Sequence, residues 1–373
     1  MAVQGRFVEL VRGCGLATRL LPGDPVRLVR LRAKARSAGE IREISDAFVE
    51  QLGMGVVAAA GRGTDLLLTS FGAAPLSRLA AEAFGIPAVG TYLAPAVATA
   101  DFPLPGSPDI SDGGGHWNLT AGQTFLTRTG QLYAHALPRL RARLGLRGAP
   151  GSHPWAFDWP ICHGYSASVV PRPTDWPPGV EVTGYWWPAR PRCWHPPGEL
   201  IDFLQAGPPP VFIGFGSSMH PGRAEWLGDL VAAAVHQAGV RAVVQAGFVG
   251  LKPAGDDIFT VGDLPHDWLF PRTAAVVHHA GAGTSAAGVR AGVPAVPVPV
   301  AFDQPFWADR LRRLGVAPAA IPLRHLTAEA LGAALSACLS GTAYRERAAE
   351  LARRVRDEDG AAPILALVDR LAG

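Results

Sequence analysis

Residues 276–288 read VVHHAGAGTSAAG, and this stretch decides the class of fold. Its short apolar run is typical of a buried parallel strand, which passes directly into Gly281 and Gly283 before a helix opens. A helix N-terminus carries unpaired backbone N–H groups and a partial positive charge, and glycine lets an anion come close to them. The stretch therefore predicts a phosphate-binding turn, with His279 and Thr284 as candidate side-chain donors.

A second glycine-rich turn has the same arrangement. Residues 210–216 read PVFIGFG, a predicted strand that ends in Gly216 and Ser217 ahead of a predicted helix. Backbone amides in two such turns can hold an anion from two sides. The pair of turns therefore favours a diphosphate as the ligand.

The chain alternates between predicted strands and helices on both sides of these turns. Apolar spacing predicts a helix over 40–61, one long helix over 117–144 and a tail that is helical throughout 327–371. The shorter predicted elements lie at residues 65–70, 75–84, 86–92, 210–215, 223–238, 242–245, 258–261, 274–278, 286–291, 295–300 and 306–314. This alternation predicts an α/β protein with parallel sheets, and 373 residues are enough for two such domains.

Composition excludes several classes of protein. Hydrophobic residues make up 48% of the chain and charged residues 17%, which suits packed cores and not disorder. The formal net charge is +3, and because no long basic block is present, nucleic acid is not an expected partner.

The cysteines and the longest apolar stretches indicate the cellular compartment of the protein and its relation to membranes. Cys14, Cys162, Cys193 and Cys338 show no C-x-x-C spacing, which predicts a reducing, cytoplasmic setting. No stretch reaches the roughly 18 apolar residues of a membrane span. The basic window at residues 27–36 predicts at most peripheral membrane contact.

A carboxylate and a carboxamide stand together in residues 297–305, which read PVPVAFDQP. Asp303 and Gln304 follow a predicted strand, at the end where α/β proteins bind ligands, and together they can bond several sugar hydroxyls. Two further interpretations stay open. Asp-Gln-Pro is also a turn that caps a helix, and Gly281-x-Gly283-x-x-Ala286 with Asp303 fits a dinucleotide fingerprint.

The paired histidines, His278 and His279, raise the question of a metal. No third ligand stands at the helical spacing that metal sites favour, so no metal is predicted.

Three segments carry a resemblance to a known family: residues 265–270 (PHDWLF), 275–284 (AVVHHAGAGT) and 303–307 (DQPFW). They resemble the family 1 nucleotide-sugar glycosyltransferases, in the bacterial branch near sterol glucosyltransferases and antibiotic glycosyltransferases. Weaker or shorter similarities occur at residues 20–24, 83–87, 207–219 and 358–360, so the resemblance covers nearly the whole chain.

The resemblance implies a GT-B fold, in which two Rossmann-like domains face each other across the active-site cleft. The predicted divisions are an acceptor-binding domain at 1–187, a linker with a lead-in helix at 188–207, a nucleotide-sugar-binding domain at 208–357 and a C-terminal helix at 358–373. It also implies inverting transfer from a UDP- or dTDP-sugar to a hydroxyl of a lipophilic acceptor, without metal or other cofactor. A homodimer or an auxiliary partner protein is left open.

By motif position the resemblance also implies roles for individual residues. His279 would contact the α-phosphate, and the amides of Gly281, Gly283 and Thr284 the β-phosphate. Gly216 and Ser217 would lie beside the reacting centre. Two further sets of residues would bind the rest of the donor. Leu264, Pro265 and Trp268 would contact its nucleobase, and Asp303 and Gln304 would contact its sugar hydroxyls.

The family's general base stands near the N-terminus, and this chain does not show that segment. Residues 7–16 resemble the part that follows the family's first strand, first helix and second strand. We therefore expect an N-terminal domain without these elements and a general base upstream of Met1, with His116 as the candidate within the chain. A shortened chain of an active enzyme and a non-catalytic auxiliary protein are both consistent with this. A nucleotide-sugar epimerase and a dehydrogenase also stay open.

Overall fold

The computed structural model describes residues 1–107, 113–147, 155, 158–188, 190, 194–216, 221–247 and 250–373. The strands are β1 (Ala2–Gln4), β2 (Arg19–Leu21), β3 (Leu67–Thr69), β4 (Ala88–Tyr92), β5 (Ile161–His163), β6 (Val180–Val182), β7 (Val211–Gly214), β8 (Ala242–Gln245), β9 (Ile258–Val261), β10 (Ala275–His278) and β11 (Ala295–Pro297). The helices are α1 (Val8–Gly13), α2 (Pro25–Lys34), α3 (Ala38–Ala60), α4 (Ala74–Phe84), α5 (Gly115–Gly130), α6 (Ala136–Arg143), α7 (Gly198–Gln205), α8 (Ala224–Ala238), α9 (His266–Leu269), α10 (Ala282–Ala291), α11 (Gln304–Arg313), α12 (Ala328–Ser340), α13 (Ala343–Arg356) and α14 (Ala362–Ala372).

The C-terminal half forms a parallel sheet with the order β11-β10-β7-β8-β9. Because side chains alternate along a strand, Val211 and Ile213 face α8 and α12, while Phe212 faces the cluster around Phe270. The register aligns His278 at the end of β10 with Gly214 on one neighbouring strand and Pro297 on the other. The three segments that follow these strands therefore leave the sheet side by side.

The N-terminal half forms a second parallel sheet, β3-β4-β5-β6, and a separate parallel pair, β1-β2. Val89 and Cys162 of this sheet are buried against Ile364 of α14. The last helix of the chain thus packs on the N-terminal sheet.

Aromatic contacts connect the two halves. The ring centroids of Tyr165, just after β5, and Trp307 of α11 are 5.7 Å apart, and those of Phe102 and Phe306 are 5.5 Å apart. The loops that follow the strands of both sheets therefore meet. The α/β class with parallel sheets that the sequence predicts is confirmed, and the domain boundaries at 187, 207 and 357 stay predictions.

Two predicted helices are wrong in extent. The long helix over 117–144 is instead α5 and α6, because Pro138 lacks the N–H that a helix interior needs and fits only in a first turn. The tail is not helical throughout 327–371: α12 ends at Ser340, the next residue Gly341 has an extended backbone, and α14 begins only after Gly360. There the Asp359 carboxylate accepts hydrogen bonds from the N–H groups of Ala361 and Ala362.

Candidate functional site

The two glycine-rich turns meet around the side chain of His279. A Cβ atom added to Gly216, which follows β7, would lie 2.8 Å from Cε1 of His279. A Cβ added to Gly281, which follows β10, would lie 2.5 Å from its Nε2. The imidazole therefore lies between two glycine backbones, where any larger residue would displace it. Ser217, the neighbour of Gly216, lies outside the described residues.

Burial keeps His279 neutral, because it lowers the pKa of the imidazole. A neutral imidazole carries one N–H donor and one acceptor. Within the described residues, Nδ1 of His279 is buried without a hydrogen-bond partner. The hydrogen-bonding capacity of this buried atom is therefore unused among the described residues.

His278 has a different role, because it fixes the turn from inside the domain. Its Nδ1 accepts a hydrogen bond from the N–H of Ala280 at 3.0 Å, which assigns the ring proton to Nε2. Ala280 has a φ of +61°, a conformation that residues with a Cβ rarely adopt. The turn that presents His279 is therefore held in a strained backbone by its buried neighbour.

The N-terminus of α10 adds backbone donors to this arrangement. Gly281 is the N-cap residue and has no side chain to bond the first turn. In any α-helix the first N–H groups lack a partner within the helix, so those of Gly283 and Thr284 are free to bind an anion. Gly283 is exposed and faces open space. This arrangement can hold a phosphate through main-chain amides, without a cation.

A cavity of about 950 Å³ lies beside this helix terminus. Gly283, Thr284 and Pro265 are in its wall. Arg290, farther along α10, is also in the wall, with its guanidinium carbon 4.4 Å from the ring centroid of Trp187. Cavities of this size commonly hold ligands as large as a nucleotide.

The residues predicted to contact the nucleobase of the donor lie in two different environments in the structure. Pro265 reaches the cavity, whereas Leu264 and Trp268 pack on the apolar cluster that contains Phe270. The Trp268 ring also lies under the guanidinium of Arg272, at 4.6 Å. The base-binding role of these residues stays a prediction.

Asp303 and Gln304 stand at the start of α11, beside the contact between the two halves. Burial raises the pKa of Asp303, whose Oδ2 accepts a hydrogen bond from the indole N–H of Trp307 at 2.9 Å. The Oε1 of Gln304 accepts from the N–H groups of Val300 and Ala301, at 2.8 and 3.2 Å. The amide oxygen of Gln304 therefore holds its own loop in shape, while Asp303 stays partly exposed.

Sequence reasoning missed Phe302, which lies between these segments. Its φ is +58° and its side chain is 82% exposed. A non-glycine residue with this backbone conformation costs about 1–2 kcal/mol, and an exposed ring gains no core packing in return. The sequence signal was an aromatic residue inside a turn that is otherwise built from small and polar residues.

The candidate base, His116, is exposed at the start of α5, where its Nε2 lies 3.3 Å from Oγ1 of Thr120. This contact lies within its own helix and does not connect it with His279, so its catalytic role stays a prediction. The described residues contain no group of three or more His, Cys, Asp and Glu side chains able to hold a metal ion. The same part of the chain has no helix both long and apolar enough to cross a membrane.

Buried neutral histidines predict a loss of stability in acid. Burial lowers the pKa of His163 and of His278 to about 3, from an ordinary value of 6.5. Below pH 6.5 the unfolded chain therefore takes up protons at these positions while the folded chain does not. Each histidine is expected to lower the free energy of unfolding by about 1.4 kcal/mol per pH unit, from about pH 6 down towards pH 3.

Urea unfolding at pH 7, 6 and 5 measures this slope. His278→Asn is expected to reduce the slope between pH 6 and 5 by about 1.4 kcal/mol per pH unit, whatever its effect on absolute stability. The matched control is Gln123→Ala, a change at an exposed position of α5 that alters no titratable group and is expected to retain the parent slope. An unchanged slope in His278→Asn would show that His278 takes up its proton in the folded state as well.

The fold and site together define a class of protein. Two parallel-sheet halves meet at the carboxyl ends of their strands, and one of them presents glycine turns around a neutral histidine at a helix N-terminus. This is the GT-B fold, the architecture of nucleotide-sugar glycosyltransferases.

Comparisons with known proteins agree with this class. Residues 230–368 match the family described as erythromycin biosynthesis protein CIII-like, C-terminal domain. The O-mycaminosyltylonolide 6-deoxyallosyltransferase of Streptomyces fradiae is 42% identical over 213 residues, which are 57% of this chain and 50% of that protein. The sterol 3-beta-glucosyltransferase of Emericella nidulans is 30% identical over 399 residues, with 99% of this chain and 28% of that protein covered. The chain thus spans half or less of the length of these relatives.

Solved structures support the fold. The glycotransferase of kitacinnamycin matches with a TM-score of 0.73 at 19% identity, covering 100% of this chain and 91% of that one. The glycosyltransferase VinC in complex with dTDP matches with a TM-score of 0.62 at 19% identity, again covering 100% and 91%. These comparisons confirm the resemblance to the branch of family 1 glycosyltransferases that includes sterol and antibiotic glycosyltransferases.

Proposed function

We propose that this protein binds a nucleoside diphosphate-sugar and transfers its sugar to a hydroxyl of a small lipophilic acceptor. The observation that carries the proposal is the position of His279, whose ring lies between the backbones of Gly216 and Gly281 at the N-terminus of α10. A neutral donor, free amides and a helix dipole in one place suit a diphosphate.

The same groups would act on the leaving group. When the bond from the anomeric carbon to the diphosphate breaks, negative charge grows on the phosphate oxygens. The His279 N–H and the amides of Gly283 and Thr284 are donors already in position, so they would stabilise this charge without reorganisation and without a metal ion. The Asp303 carboxylate would accept a hydrogen bond from a sugar hydroxyl.

Inverting transfer also needs a base that takes the proton of the acceptor hydroxyl. His116 is exposed on a separate helix, and its contact with Thr120 gives it no connection to the phosphate-binding turns. This observation favours a second candidate function, that of a nucleotide-sugar-binding auxiliary protein without catalysis of its own. An epimerase and a dehydrogenase remain as further outcomes of the tests below.

The nature of the substrates is part of the proposal. A dTDP-sugar or UDP-sugar is the expected donor, because the related fold of VinC was solved with dTDP. A macrolide or a sterol is the expected acceptor, after the substrates in the names of the two relatives. A cytoplasmic location stays a prediction, and a homodimer stays open.

Ligand-dependent thermal unfolding tests the donor site. With dTDP and UDP at about 100 times their dissociation constants, the free energy of unfolding is expected to rise by about 2.7 kcal/mol, also in the presence of EDTA. NAD is expected to have no effect. His279→Ala is expected to reduce this gain by about 1.5 kcal/mol or more, because it removes one donor to the phosphate, and His116→Ala is the matched control that retains the full gain. Protection by NAD alone would make the protein a dehydrogenase and contradict the proposal.

A transfer assay tests the activity. The protein is incubated with UDP-glucose or dTDP-glucose and with ergosterol or O-mycaminosyltylonolide, and glycosylated product and released nucleotide are measured. Product formation that His279→Ala reduces is the expected result. Nucleotide binding without product from either acceptor would favour the auxiliary protein, and conversion of the donor sugar to its epimer would favour the epimerase.

A further inference from the structure

The side chain of Phe302 is the most exposed large hydrophobic group near the candidate site, among the described residues. It lies in the loop between β11 and α11, immediately before Asp303, and is 82% exposed. Its neighbour Phe306 is 6% exposed and packs on Phe102 of the N-terminal half. Two aromatic rings of one loop region thus have opposite environments, since one belongs to the core and the other faces solvent.

The backbone of this loop is a tight turn that suits glycine at position 302. The N–H of Gln304 donates to the carbonyl of Ala301 at 3.2 Å, and Asp303 has φ −78° and ψ −11°. Together with the φ of +58° at Phe302, these values fit a type II′ turn, whose first central residue is normally glycine. The hydrogen bonds from the N–H groups of Val300 and Ala301 to Oε1 of Gln304 hold this geometry.

The loop lies where the two halves meet. Trp307, one turn into α11, contacts Tyr165 of the N-terminal half and donates its indole N–H to Asp303. Residues that follow Phe302 are therefore fixed against the facing half. Phe302 directly precedes Asp303, the residue assigned to the donor sugar, in a loop whose following residues contact the facing half.

We propose that Phe302 is an acceptor-binding residue, whose ring packs against an apolar ring face of the lipophilic acceptor. This inference rests on the proposed function. The folded chain gains no packing from this ring, yet the turn that carries the ring is strained. Backbone strain that no packing offsets is typical of residues that bind a ligand. A flat aromatic surface of this kind contributes to binding through contact area and ring stacking, which suits a polycyclic or macrocyclic acceptor.

Two substitutions separate this role from a structural one. Phe302→Ala removes the ring and keeps the strain, so its melting temperature is expected to equal that of the parent. Phe302→Gly removes both, so its melting temperature is expected to equal or exceed the parent's. Both variants are expected to weaken acceptor binding about tenfold, because they lose the same contact. The matched control is Phe84→Ala, which removes a ring that is 45% exposed at the end of α4, away from the loop.

The experiment is equilibrium binding of dTDP, ergosterol and O-mycaminosyltylonolide to the parent and the three variants. The expected result is weaker binding of an acceptor by both Phe302 variants, with dTDP affinity unchanged within about twofold. Parent-like acceptor affinity in Phe302→Ala would overturn the inference, and so would an equal loss of dTDP affinity. A parent that binds dTDP and neither acceptor would overturn it while leaving donor binding intact. A parent that does not bind dTDP would contradict the proposed function itself.

Discussion

Gly281→Ala is expected to weaken dTDP binding about 100-fold while leaving the protein folded. The φ of −65° at Gly281 is accessible to alanine, so the backbone itself is not strained by the change. The new Cβ, however, would lie 2.5 Å from Nε2 of His279 and 3.2 Å from its Cδ2. Because Gly216 confines the ring from the other side, the imidazole must leave its position between the two turns. The expected loss of binding free energy is about 2.7 kcal/mol, because the phosphate loses the histidine donor and the displaced ring occupies space near the phosphate.

Isothermal titration with dTDP measures this loss, and thermal unfolding without ligand measures the fold. Gly288→Ala is the matched control: it lies in the same helix, its added Cβ meets nothing within 4 Å, and alanine is the better helix former. The control is expected to bind dTDP like the parent and to be at least as stable. If Gly281→Ala also bound like the parent, His279 would not be part of the phosphate site.

The sequence predicted the parts of this site that depend on local chemistry. Apolar runs followed by glycines located β7 and β10, and the parallel register then required their turns to be neighbours. Helix α4 was predicted with the correct last residue because Gly85, with φ +65°, ends it in the left-handed conformation. In these cases residue type and local backbone conformation agree, so pattern and structure give the same answer.

The features that the sequence did not predict depend on tertiary contacts or on strain. Ala280 and Phe302 adopt positive φ values although neither is glycine, so residue type gives no sign of the turn. The amide oxygen of Gln304 bonds its own loop, which a pattern that suggests sugar binding cannot reveal. The contact of Tyr165 with Trp307 joins distant parts of the chain, and only the folded structure shows it.

The C-terminal segment connects the two halves through close backbone contact. The Oγ of Ser166 donates to Oε1 of Glu358 at 2.5 Å, and the indole N–H of Trp186 donates to the carbonyl of Gly360 at 3.0 Å. Beyond this point Ile364 covers Val89 and Cys162 of the N-terminal sheet. The position of α14, and with it the relation of the two halves, therefore depends on how closely residues 358–360 approach residues 184–186.

Gly360→Ala is expected to lower the free energy of unfolding by about 3 kcal/mol or more. Its Cβ would lie 2.5 Å from the carbonyl carbon of Gly184 and 2.6 Å from its oxygen, and would also clash with the carbonyl oxygen of Tyr185. These are backbone atoms that no side-chain rotation can move aside, so the segment must separate from its partner. Urea unfolding is the direct measurement, and Gly341→Ala, whose Cβ meets nothing within 4 Å, is the matched control.

A thiol probe shows where the structure opens. Burial raises the pKa of Cys162 to about 11 and keeps it unreactive in the parent. The experiment uses a background with Cys14→Ser and Cys193→Ser. If Gly360→Ala displaces α14, Ile364 no longer covers the Cys162 thiol. Labelling of Cys162 by a disulfide reagent is then expected to accelerate about tenfold or more. Cys338, buried beneath α8 and β11, serves as the internal reference and is expected to stay unreactive. Equal acceleration at both thiols would indicate global unfolding, whereas parent-like stability and labelling would show that α14 does not depend on the contact of Gly360 with Gly184.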